Sequence, residues 1–393
     1  MPDGGLCIDW FAGAGVQLEI FCPVPDTKTA RDYRLRYIPP FRATIRPPLA
    51  PTNLGPGDLD GVLQKLDALA GLVHSAFSRG VGTVQRSQVI AERDESLQLS
   101  GSQLFTLVVP PYVQADLRNE PLFLDLGVDE ELVSYPWELM HDEEEYLALR
   151  HNVGRFVNSA TPEAFQARGT PVVGKGIDKL RVLVIGVPKP LARPNEQPLP
   201  TLPGVDAEVT AITEALDGGR ANVEISVLLD GQATVDKVFR ALSSGKYHIV
   251  HYMGHATFDV NEHGRSALVL HDGNLTTGQI AKFIQRKTPP FLCFVNACES
   301  GKAGSWTASY NLFDLARAFL ATGAYLIGSR WKLEDDPAVT VAREFYASLV
   351  AGKPIGCALR LARAKARADH PESFAWASYV LYGDPRVYVR SAG

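Results

Sequence analysis

Short apolar runs and helix-spaced apolar stripes alternate along the second half of the chain. Six runs are continuous enough to be strands buried on both faces, and they cover 181–187, 223–229, 247–253, 291–296, 324–329 and 379–382. Between the runs, apolar residues recur at helical spacing, as in the stripe from Val205 to Leu216. Strands that alternate with helices build a parallel sheet covered on both faces. The pattern therefore predicts an α/β fold, a three-layer α/β/α sandwich around a mostly parallel six-stranded sheet.

The first half of the chain has a more mixed pattern. It predicts a half-buried strand around 33–37, a helix after Asp58 with Asp58 as its N-cap, and further strands at 102–109 and 121–126. Turn-forming residues without periodicity occupy 157–179, and such a stretch favours a domain junction. We therefore expect a smaller mixed α+β domain over 1–165, acting as a scaffold or sensor, and a larger α/β domain over 166–393.

The composition is that of a folded protein without the charge expected of a nucleic-acid-binding protein. Hydrophobic residues make up 46% of the 393 residues, charged residues make up 21%, and the net charge is -5. No nucleic-acid partner is therefore expected. One basic stretch is interpreted as a solvated helix face rather than a local binding patch; its residues are Arg360, Arg363, Lys365 and Arg367.

Cysteine usage and the first residues indicate the compartment. The five cysteines include no CxxC pair, so neither a disulfide framework nor a zinc ribbon is indicated, and no metal or cofactor is expected. No stretch approaches the roughly 18 apolar residues of a membrane span, and no basic segment followed by an apolar core opens the chain. The sequence predicts a cytoplasmic protein that does not contact a membrane.

Two reactive side chains follow neighbouring predicted strands. His255 comes after the third run and Cys298 after the fourth. The carboxyl ends of parallel strands form one rim of a sheet, so we expect these side chains to meet. A cysteine beside an imidazole is a nucleophile with its base. Cys293, in the middle of the fourth run, is interpreted as a core residue instead.

Four local segments around these residues resemble the bacterial CHAT proteins, which belong with caspases, separases and gingipains among caspase-fold cysteine peptidases. The segments are His251–His255, Val295–Gly301, Ile327–Trp331 with Glu334–Asp336, and Trp376–Asp384. Upstream, Tyr135–Leu139 and Tyr146–Arg150 are similar to the segment that precedes the peptidase core in that family. The resemblance spans roughly 100–390, and it identifies the predicted sandwich as caspase-like.

The resemblance implies a cysteine endopeptidase that cleaves a protein partner through a dyad and needs no third catalytic residue. Cys298 is then the nucleophile, and His255 polarises the scissile carbonyl and protonates the leaving amine. The amides of Gly254 and Cys298 are expected to form the oxyanion hole. Control by an activating partner protein and a role in bacterial defence or cell death are also implied.

The substrate pocket is expected to involve Asn296, Trp331 and Asp335. In caspase-like enzymes the residue two before the cysteine lines the pocket for the residue before the cut, and metacaspases, which have an aspartate there, prefer basic residues. Asn296 is uncharged, so basic specificity does not carry over directly. Asp335 and Asp336 follow in the next loop and either restore a negative site or cap a helix; capping is favoured for Asp336. Trp331 is expected to pack beside the substrate.

Two other functions were weighed against peptidase activity. A caspase-fold interaction module would bind a partner without cutting it, and such a module has no need of His255 and Cys298. A doubly wound nucleotide-binding enzyme would need a glycine-rich phosphate loop after the first strand, which the sequence Gly186-Val-Pro-Lys-Pro does not provide. Peptidase activity is therefore the leading interpretation, and the interaction module is the alternative.

Overall fold

A computed structural model describes thirteen stretches of the chain. They cover 6–10, 15–21, 34–38, 50–51, 58–78, 83–118, 123–158, 176–193, 197–218, 222–258, 264–284, 288–299 and 307–391. The strands within them, β1 to β16 in chain order, are Leu6–Trp10, Gly15–Phe21, Arg34–Ile38, Ala50–Pro51, Phe123–Asp129, Asn152–Asn158, Gly176–Ile177, Leu180–Gly186, Val223–Leu229, Ile249–Thr257, Ala267–Val269, Asn274–Thr276, Leu292–Glu299, Tyr325–Ser329, Tyr379–Tyr382 and Val387–Ser391.

Helices occupy much of the remaining described chain. The α-helices, α1 to α11 in chain order, are Asp58–Ser78, Thr83–Val108, Pro111–Leu117, Leu147–Arg150, Gly204–Asp217, Val235–Ser243, Thr277–Ile284, Thr307–Leu320, Asp335–Val350, Ile355–Asp369 and Ala375–Ser378. No helix among the described residues combines the length and the apolar composition that a membrane span requires.

All six strands predicted for the second half are present and lie side by side in the order β9-β8-β10-β13-β14-β15. Neighbouring pairs are parallel except for β14 and β15. Buried apolar residues form five of these strands, as expected for a sheet with both faces covered, whereas the apolar residues of β9 are only partly buried. The predicted α/β architecture is confirmed.

Helices cover the two faces of this sheet. On one face, Tyr346 of α9 contacts His251 of β10, and side chains of α5 pack over Gly186 of β8. On the other face, Leu312 of α8 packs over Gly328 of β14. Because side chains alternate between the faces of a strand, the register assigns His251 and Asn296 to the face covered by α5 and α9.

The sheet continues beyond the six predicted strands. β15 pairs with β6 in parallel, and β6 leads through β5, β2 and β3 to β4. Strands from the first 165 residues therefore hydrogen-bond into the same sheet as those from the second half. A separate small sheet joins β1 to β16 and β7. Most of the expected domain junction, 159–175, lies outside the described residues.

Three local predictions from the sequence were wrong. Residues 102–108 form the end of α2 rather than a strand, and their buried residues Leu104, Phe105 and Val108 suit one face of a helix. Arg363 is not on a solvated helix face, since it is 1% exposed and donates a hydrogen bond to the carbonyl of Tyr379. Lys365 and Arg367 are exposed as predicted and pair with Asp369 and Glu145.

The third wrong prediction concerns the residue that caps the start of α9. The helix begins at Asp335, so the capping position belongs to Glu334 and Asp336 lies in the first turn. The Glu334 side chain makes no cap, because its carboxylate accepts a hydrogen bond from the Ser373 hydroxyl at 2.6 Å. Carboxylates in the first turn still suit the positive end of the helix dipole.

The third predicted strand runs further than expected and contains His255. β8 pairs with Ile249–Met253 of β10 and then ends at Gly186, whereas β10 continues to Thr257 and pairs with β11 at Ala256 and Thr257. The chain after β8 therefore leaves the sheet beside the end of β10. This exit brings the segment that precedes α5 next to His255.

Candidate active site

The backbone of Cys298 lies directly opposite His255. The two residues are Cα partners in the parallel pair of β13 and β10, and neighbouring strands are about 4.8 Å apart. Both residues belong to the face of the sheet that carries Asn296, two positions before Cys298. For Cys298 and Glu299 only the backbone is described, and 300–306 lie outside the described residues, including Ser300 and Gly301 of the segment quoted above.

His255 is buried and held by a backbone carbonyl. Its Nε2 lies 2.8 Å from the carbonyl oxygen of Pro200, and the residue is 2% exposed. A carbonyl can only accept, so Nε2 carries the proton and donates it. The Pro200 carbonyl thus orients the imidazole, a role for which the sequence offers no evident side chain.

The imidazole of His255 is poised as a neutral base. Burial lowers its pKa, the hydrogen bond to Pro200 opposes this effect, and the charge of Lys332 lowers it further. With the proton on Nε2, the lone pair is on Nδ1. Nδ1 is buried and has no hydrogen-bond partner among the described residues. A buried acceptor of this kind is free to receive a proton from a neighbouring group.

Gly254 is required by the packing of Tyr252. The Tyr252 hydroxyl lies 2.7 Å from the carbonyl oxygens of His255 and Val269, and it occupies the space that a side chain on Gly254 would need. Tyr252 thus ties the end of β10 to the region of β11. Any residue larger than glycine at 254 would displace this hydroxyl and disturb the backbone of His255.

Asn296 belongs to a buried polar cluster between the sheet and helices α5 and α9, called here the Glu208 cluster: Tyr346, His251, Glu208 and Asn296. The amide Nδ2 of Asn296 donates to Oε1 of Glu208, which also lies 3.1 Å from Nε2 of His251. Nδ1 of His251 lies 3.0 Å from the Tyr346 hydroxyl. Oδ1 of Asn296 is buried without a hydrogen-bond partner among the described residues.

Asp335 lies on the same side of the molecule, near the start of α5. Its carboxylate accepts a hydrogen bond from the amide of Gly204. Burial raises its pKa, the Gly204 amide opposes this, and the nearby charges of Asp336 and Glu208 raise it further. Asp335, Glu208 and Asn296 are thereby brought into one region, and Lys332 lies close enough to influence both Asp335 and His255.

The side chain of Trp331 contacts helix α1 in the first part of the chain. Its indole N–H donates to Oδ1 of Asp67 in α1 at 2.9 Å, and its ring packs edge-on against Phe374 with centroids 4.8 Å apart. The side chain is half-buried. Of the expected pocket residues, Trp331 is therefore the one whose described contacts lead away from Asn296.

Sequence reasoning missed Glu208 and Pro200. Glu208 had a recognisable signal, because it lies three residues after Val205 and four before Ile212, within the apolar stripe of α5. A carboxylate at a core-facing position needs a hydrogen-bond or charge partner, so such a residue indicates a candidate functional site. Pro200 acts through its carbonyl, and a backbone group leaves no signature in the sequence.

Comparison with known proteins identifies the family. The CHAT domain model matches residues 98–384, and this chain belongs to the CHAT domain family. No curated protein matches it.

Solved structures show the fold at low sequence identity. The chain is similar to a structure of the Saccharomyces cerevisiae separase–securin complex, with a TM-score of 0.58 and 12% identity over 94% of this chain and 30% of that chain. It thus spans less than a third of the separase chain. It is also similar to the Arg specific cysteine proteinase gingipain R, with a TM-score of 0.45 and 13% identity over 76% of this chain and 68% of that chain. A third similar structure is the complex of Porphyromonas gingivalis RgpB pro- and mature domains. Its TM-score is 0.42, and the identity is 12% over 86% of this chain and 78% of that chain. The caspase-like fold is confirmed.

Proposed function

We propose that this protein is a cysteine endopeptidase whose dyad is His255 and Cys298. The observation that carries the proposal is the register of β10 and β13, which places the backbone of Cys298 opposite an imidazole whose Nδ1 is buried and unpartnered among the described residues. A thiol needs only a nearby base to become a strong nucleophile near neutral pH. The caspase-like fold supports the same reaction class.

The reaction follows from the protonation state of His255. Nδ1 takes the proton of the Cys298 thiol, and the thiolate attacks the carbonyl carbon of the peptide bond to form a tetrahedral intermediate. The carbon–nitrogen bond then breaks as Nδ1–H protonates the leaving amine. Water hydrolyses the resulting thioester and restores the thiol and the acid product. The Pro200 carbonyl keeps the imidazole oriented through both transfers.

The proposal also assigns the oxyanion hole, the substrate pocket and the setting of the reaction. The amides of Gly254 and Cys298 bind the oxyanion, and Asn296, Trp331 and Asp335 contribute to the substrate pocket. The substrate is a protein in the cytoplasm, and residues 1–165 form a scaffold or sensor domain through which a partner protein controls cleavage, in a setting of defence or cell death. The likeness to a separase crystallised with securin supports a protein partner.

Two measurements test the dyad. Purified protein is incubated with a peptide library, and cleavage is expected from the native chain but not from Cys298→Ala. Iodoacetamide is expected to label Cys298 faster than Cys293, because Cys293 is 1% exposed and burial raises the pKa of its thiol. Cys357→Ala is the matched control, since Cys357 is a half-buried free cysteine in α10 and its loss should leave cleavage intact.

Cleavage that persists in Cys298→Ala contradicts the dyad. Absence of both cleavage and selective labelling in the native chain contradicts peptidase activity and favours the interaction module.

A further inference from the structure

We propose that the outer edge of strand β9 is a dimer interface. A second copy of this chain pairs its own β9 with this edge in the antiparallel direction, about a two-fold axis at Ser226. The inference goes beyond the proposed function, because β8 and β10 separate β9 from the strand that carries Cys298. The pairing does not depend on whether the dyad cleaves peptides.

The first step is that a long strand ends the large sheet at β9. Among the described strands, β9 pairs only with β8. The sheet also ends at β12 and β4, which have three and two residues, whereas β9 has seven. Proteins commonly protect an edge by keeping the end strand short or by placing proline or lysine in it. The sequence of β9, Val-Glu-Ile-Ser-Val-Leu-Leu, contains neither residue.

The second step is the direction of the backbone groups of β9. The amide of Leu180 in β8 donates to the carbonyl oxygen of Asn222 at 2.8 Å, so the backbone at 222 faces β8. Successive residues of a strand direct their N–H and C=O groups to opposite sides. The even-numbered residues of β9 therefore bond to β8, and the odd-numbered residues face outward: Val223, Ile225, Val227 and Leu229. In the described part of the chain, these outward groups have no hydrogen-bond partner.

The third step is that this edge is complementary to itself. With the two-fold axis at Ser226, Val223 lies opposite Leu229 of the second copy, and Ile225 lies opposite Val227. Both members of each pair face outward, so each pair exchanges two N–H···O=C bonds, as in an antiparallel ladder. Every outward group of β9 is then satisfied. A two-fold axis uses the same surface on both copies and closes the assembly at a dimer.

The fourth step is the incomplete burial of the side chains of β9. They are only partly buried, although the side chains of the neighbouring β8 are almost all buried. The odd-numbered ones share the face of the sheet on which Leu229 and Val205 of α5 pack over Gly186. In the dimer each of them lies beside an apolar residue of the second copy. Such cross-strand pairs stabilise a sheet, and the association removes apolar surface from water.

The charge on β9 does not oppose this pairing. Glu224 is its charged residue, and the side chain is 48% exposed. Nζ of Lys179 and Nε of Arg181, in the same chain, lie 3.0 and 3.7 Å from Oε2 of Glu224 and offset its charge. In the dimer Glu224 lies opposite Leu228, and the two copies of Glu224 are about 13 Å apart along the strands. Exposed charges at this separation are largely screened at physiological salt. We therefore assign the edge to a second copy rather than to a different protein.

The test begins with the mass of the native chain in solution. Sedimentation velocity over a range of micromolar concentrations is expected to give twice the mass of one chain, with dissociation on dilution. A native chain that stays monomeric throughout this range overturns the inference.

Two charged variants test the position of the axis. Ser226 faces its own counterpart in a pair whose Cα atoms are about 4.5 Å apart, so Ser226→Lys or Ser226→Glu places like charges together. Each variant alone should weaken dimerisation about tenfold or more. An equimolar mixture of the two should restore it, because lysine then faces glutamate.

Gln98→Lys is the matched control, because Gln98 is an exposed residue of α2 and its substitution should leave the dimer intact. Dimerisation that survives both Ser226 variants, or that Gln98→Lys weakens equally, overturns the assignment to β9. Thermal unfolding of each variant shows that the comparison is made between folded proteins.

Ser226→Cys provides a second readout with little change in size. The expected Cα separation lies within the range of about 4.4–6.8 Å that a disulfide spans, so mild oxidation with diamide should give a covalent dimer on a non-reducing gel. Glu224→Cys is the matched control, since its counterpart is too far away to be bridged. The native chain gives the background from its own five cysteines. Cross-linking of Ser226→Cys no greater than that of Glu224→Cys overturns the pairing.

Discussion

Two of the buried groups of charged side chains in the described part of the chain differ in how their hydrogen bonds are satisfied. One is the Glu208 cluster beneath the candidate dyad. The other, called here the arginine cluster, consists of Arg155, Arg330, Arg363 and Glu138, of which Glu138 is the single acid. Each member of the arginine cluster is at most 4% exposed.

In the arginine cluster, protein groups satisfy most donors, and Nε of Arg363 is the exception among the described residues. Arg155 binds Glu138 through Nε and Nη2, at 3.1 and 2.5 Å, and donates from Nη1 to the Val133 carbonyl at 2.7 Å. Arg330 donates to the carbonyls of Ser134 and Tyr135. These bonds hold the segment before α4 against β6 and the end of β14. The cluster is therefore structural, although it contains more buried charge than the candidate site.

In the Glu208 cluster, Oδ1 of Asn296 has no hydrogen-bond partner among the described residues, and Asn296 lies in the strand that carries Cys298. Buried charge alone therefore does not mark a functional site. An unsatisfied buried group next to a reactive backbone position is the more informative observation. Removing charge from the arginine cluster should accordingly cost stability.

The largest effect is expected for Glu138→Gln. Burial alone would raise the pKa of Glu138, but the charges of Arg155, Arg330 and Arg363 hold it below the ordinary value. The substitution leaves buried guanidinium groups without a counter-charge, and the free energy of unfolding should fall by about 3–5 kcal/mol. Urea unfolding measures it.

The matched control is Glu144→Gln. Glu144 also binds an arginine, Arg150, at 3.0 Å, but its side chain is 70% exposed. A change of about 0.5 kcal/mol or less is expected. Equal effects of the two substitutions would contradict a structural role for the arginine cluster.

The next largest effect is expected in the pH dependence of stability. It comes from a buried imidazole that titrates in acid, not from the arginines of the arginine cluster. Burial lowers the pKa of Arg330 and Arg363 to about 10, so both keep their charge near neutral pH. His151 is fully buried, and burial lowers its pKa to about 4 although its hydrogen bond to the Leu117 carbonyl opposes the shift. The unfolded chain takes up this proton near pH 6.5 and the folded chain only near pH 4.

Stability should therefore fall as the pH drops from about 6.5 to 4, by about 3 kcal/mol from His151 alone. His151→Gln keeps a donor for the Leu117 carbonyl and removes the titration, so its unfolding free energy should depend less on pH in this range. Below pH 4.5, Glu138 adds a further loss, because its lowered pKa stabilises the fold only while it is ionised. An unchanged slope in His151→Gln would contradict this account.

A smaller effect is expected for Tyr346→Phe in the Glu208 cluster. The substitution removes the hydroxyl 3.0 Å from Nδ1 of His251 and leaves that nitrogen buried without a partner. The cost should be about 1–3 kcal/mol in urea unfolding. Tyr112→Phe is the control, since Tyr112 is 56% exposed and should change stability little. Equal losses of stability in Tyr346→Phe and Tyr112→Phe would contradict a contribution from the contact with His251.

The fold of the second half was predictable because five of its six predicted strands are buried on both faces and the sixth, β9, is apolar although only partly buried. Such strands read as continuous apolar runs, and all six were found. The error at 102–109 arose because a short apolar run does not distinguish a strand from the buried face of a helix. The wider sheet was not predictable, because the pairing of β15 with β6 joins distant parts of the chain through a backbone contact at Tyr382 and Arg155.

The candidate site was predictable only as far as reactive side chains indicate chemistry. His255 and Cys298 were visible as reactive residues after neighbouring strands, and the register brings their backbones together. The orienting carbonyl of Pro200 and the contact of Glu208 with Asn296 depend on where a loop and a helix pack. Sequence spacing alone does not contain that information.

The smallest effect is expected for Trp331→Phe, which tests whether helix α1 holds the loop that leads to Asp335. The indole N–H donates to Asp67, and burial raises the pKa of Asp67 although this bond and the charge of Arg330 oppose the shift. Phenylalanine keeps the contact with Phe374 and removes the donor. The unfolding free energy should fall by about 1 kcal/mol.

Asp67→Asn is the matched variant, because it keeps an acceptor for the indole and removes a partly buried charge. It should therefore cost less than Trp331→Phe. If the loop depends on this hydrogen bond, Trp331→Phe should also lower kcat/KM while Asp67→Asn should not. Equal losses of stability in the two variants would mean that the charge of Asp67 beside Arg330, rather than the bond to Trp331, connects α1 to the site.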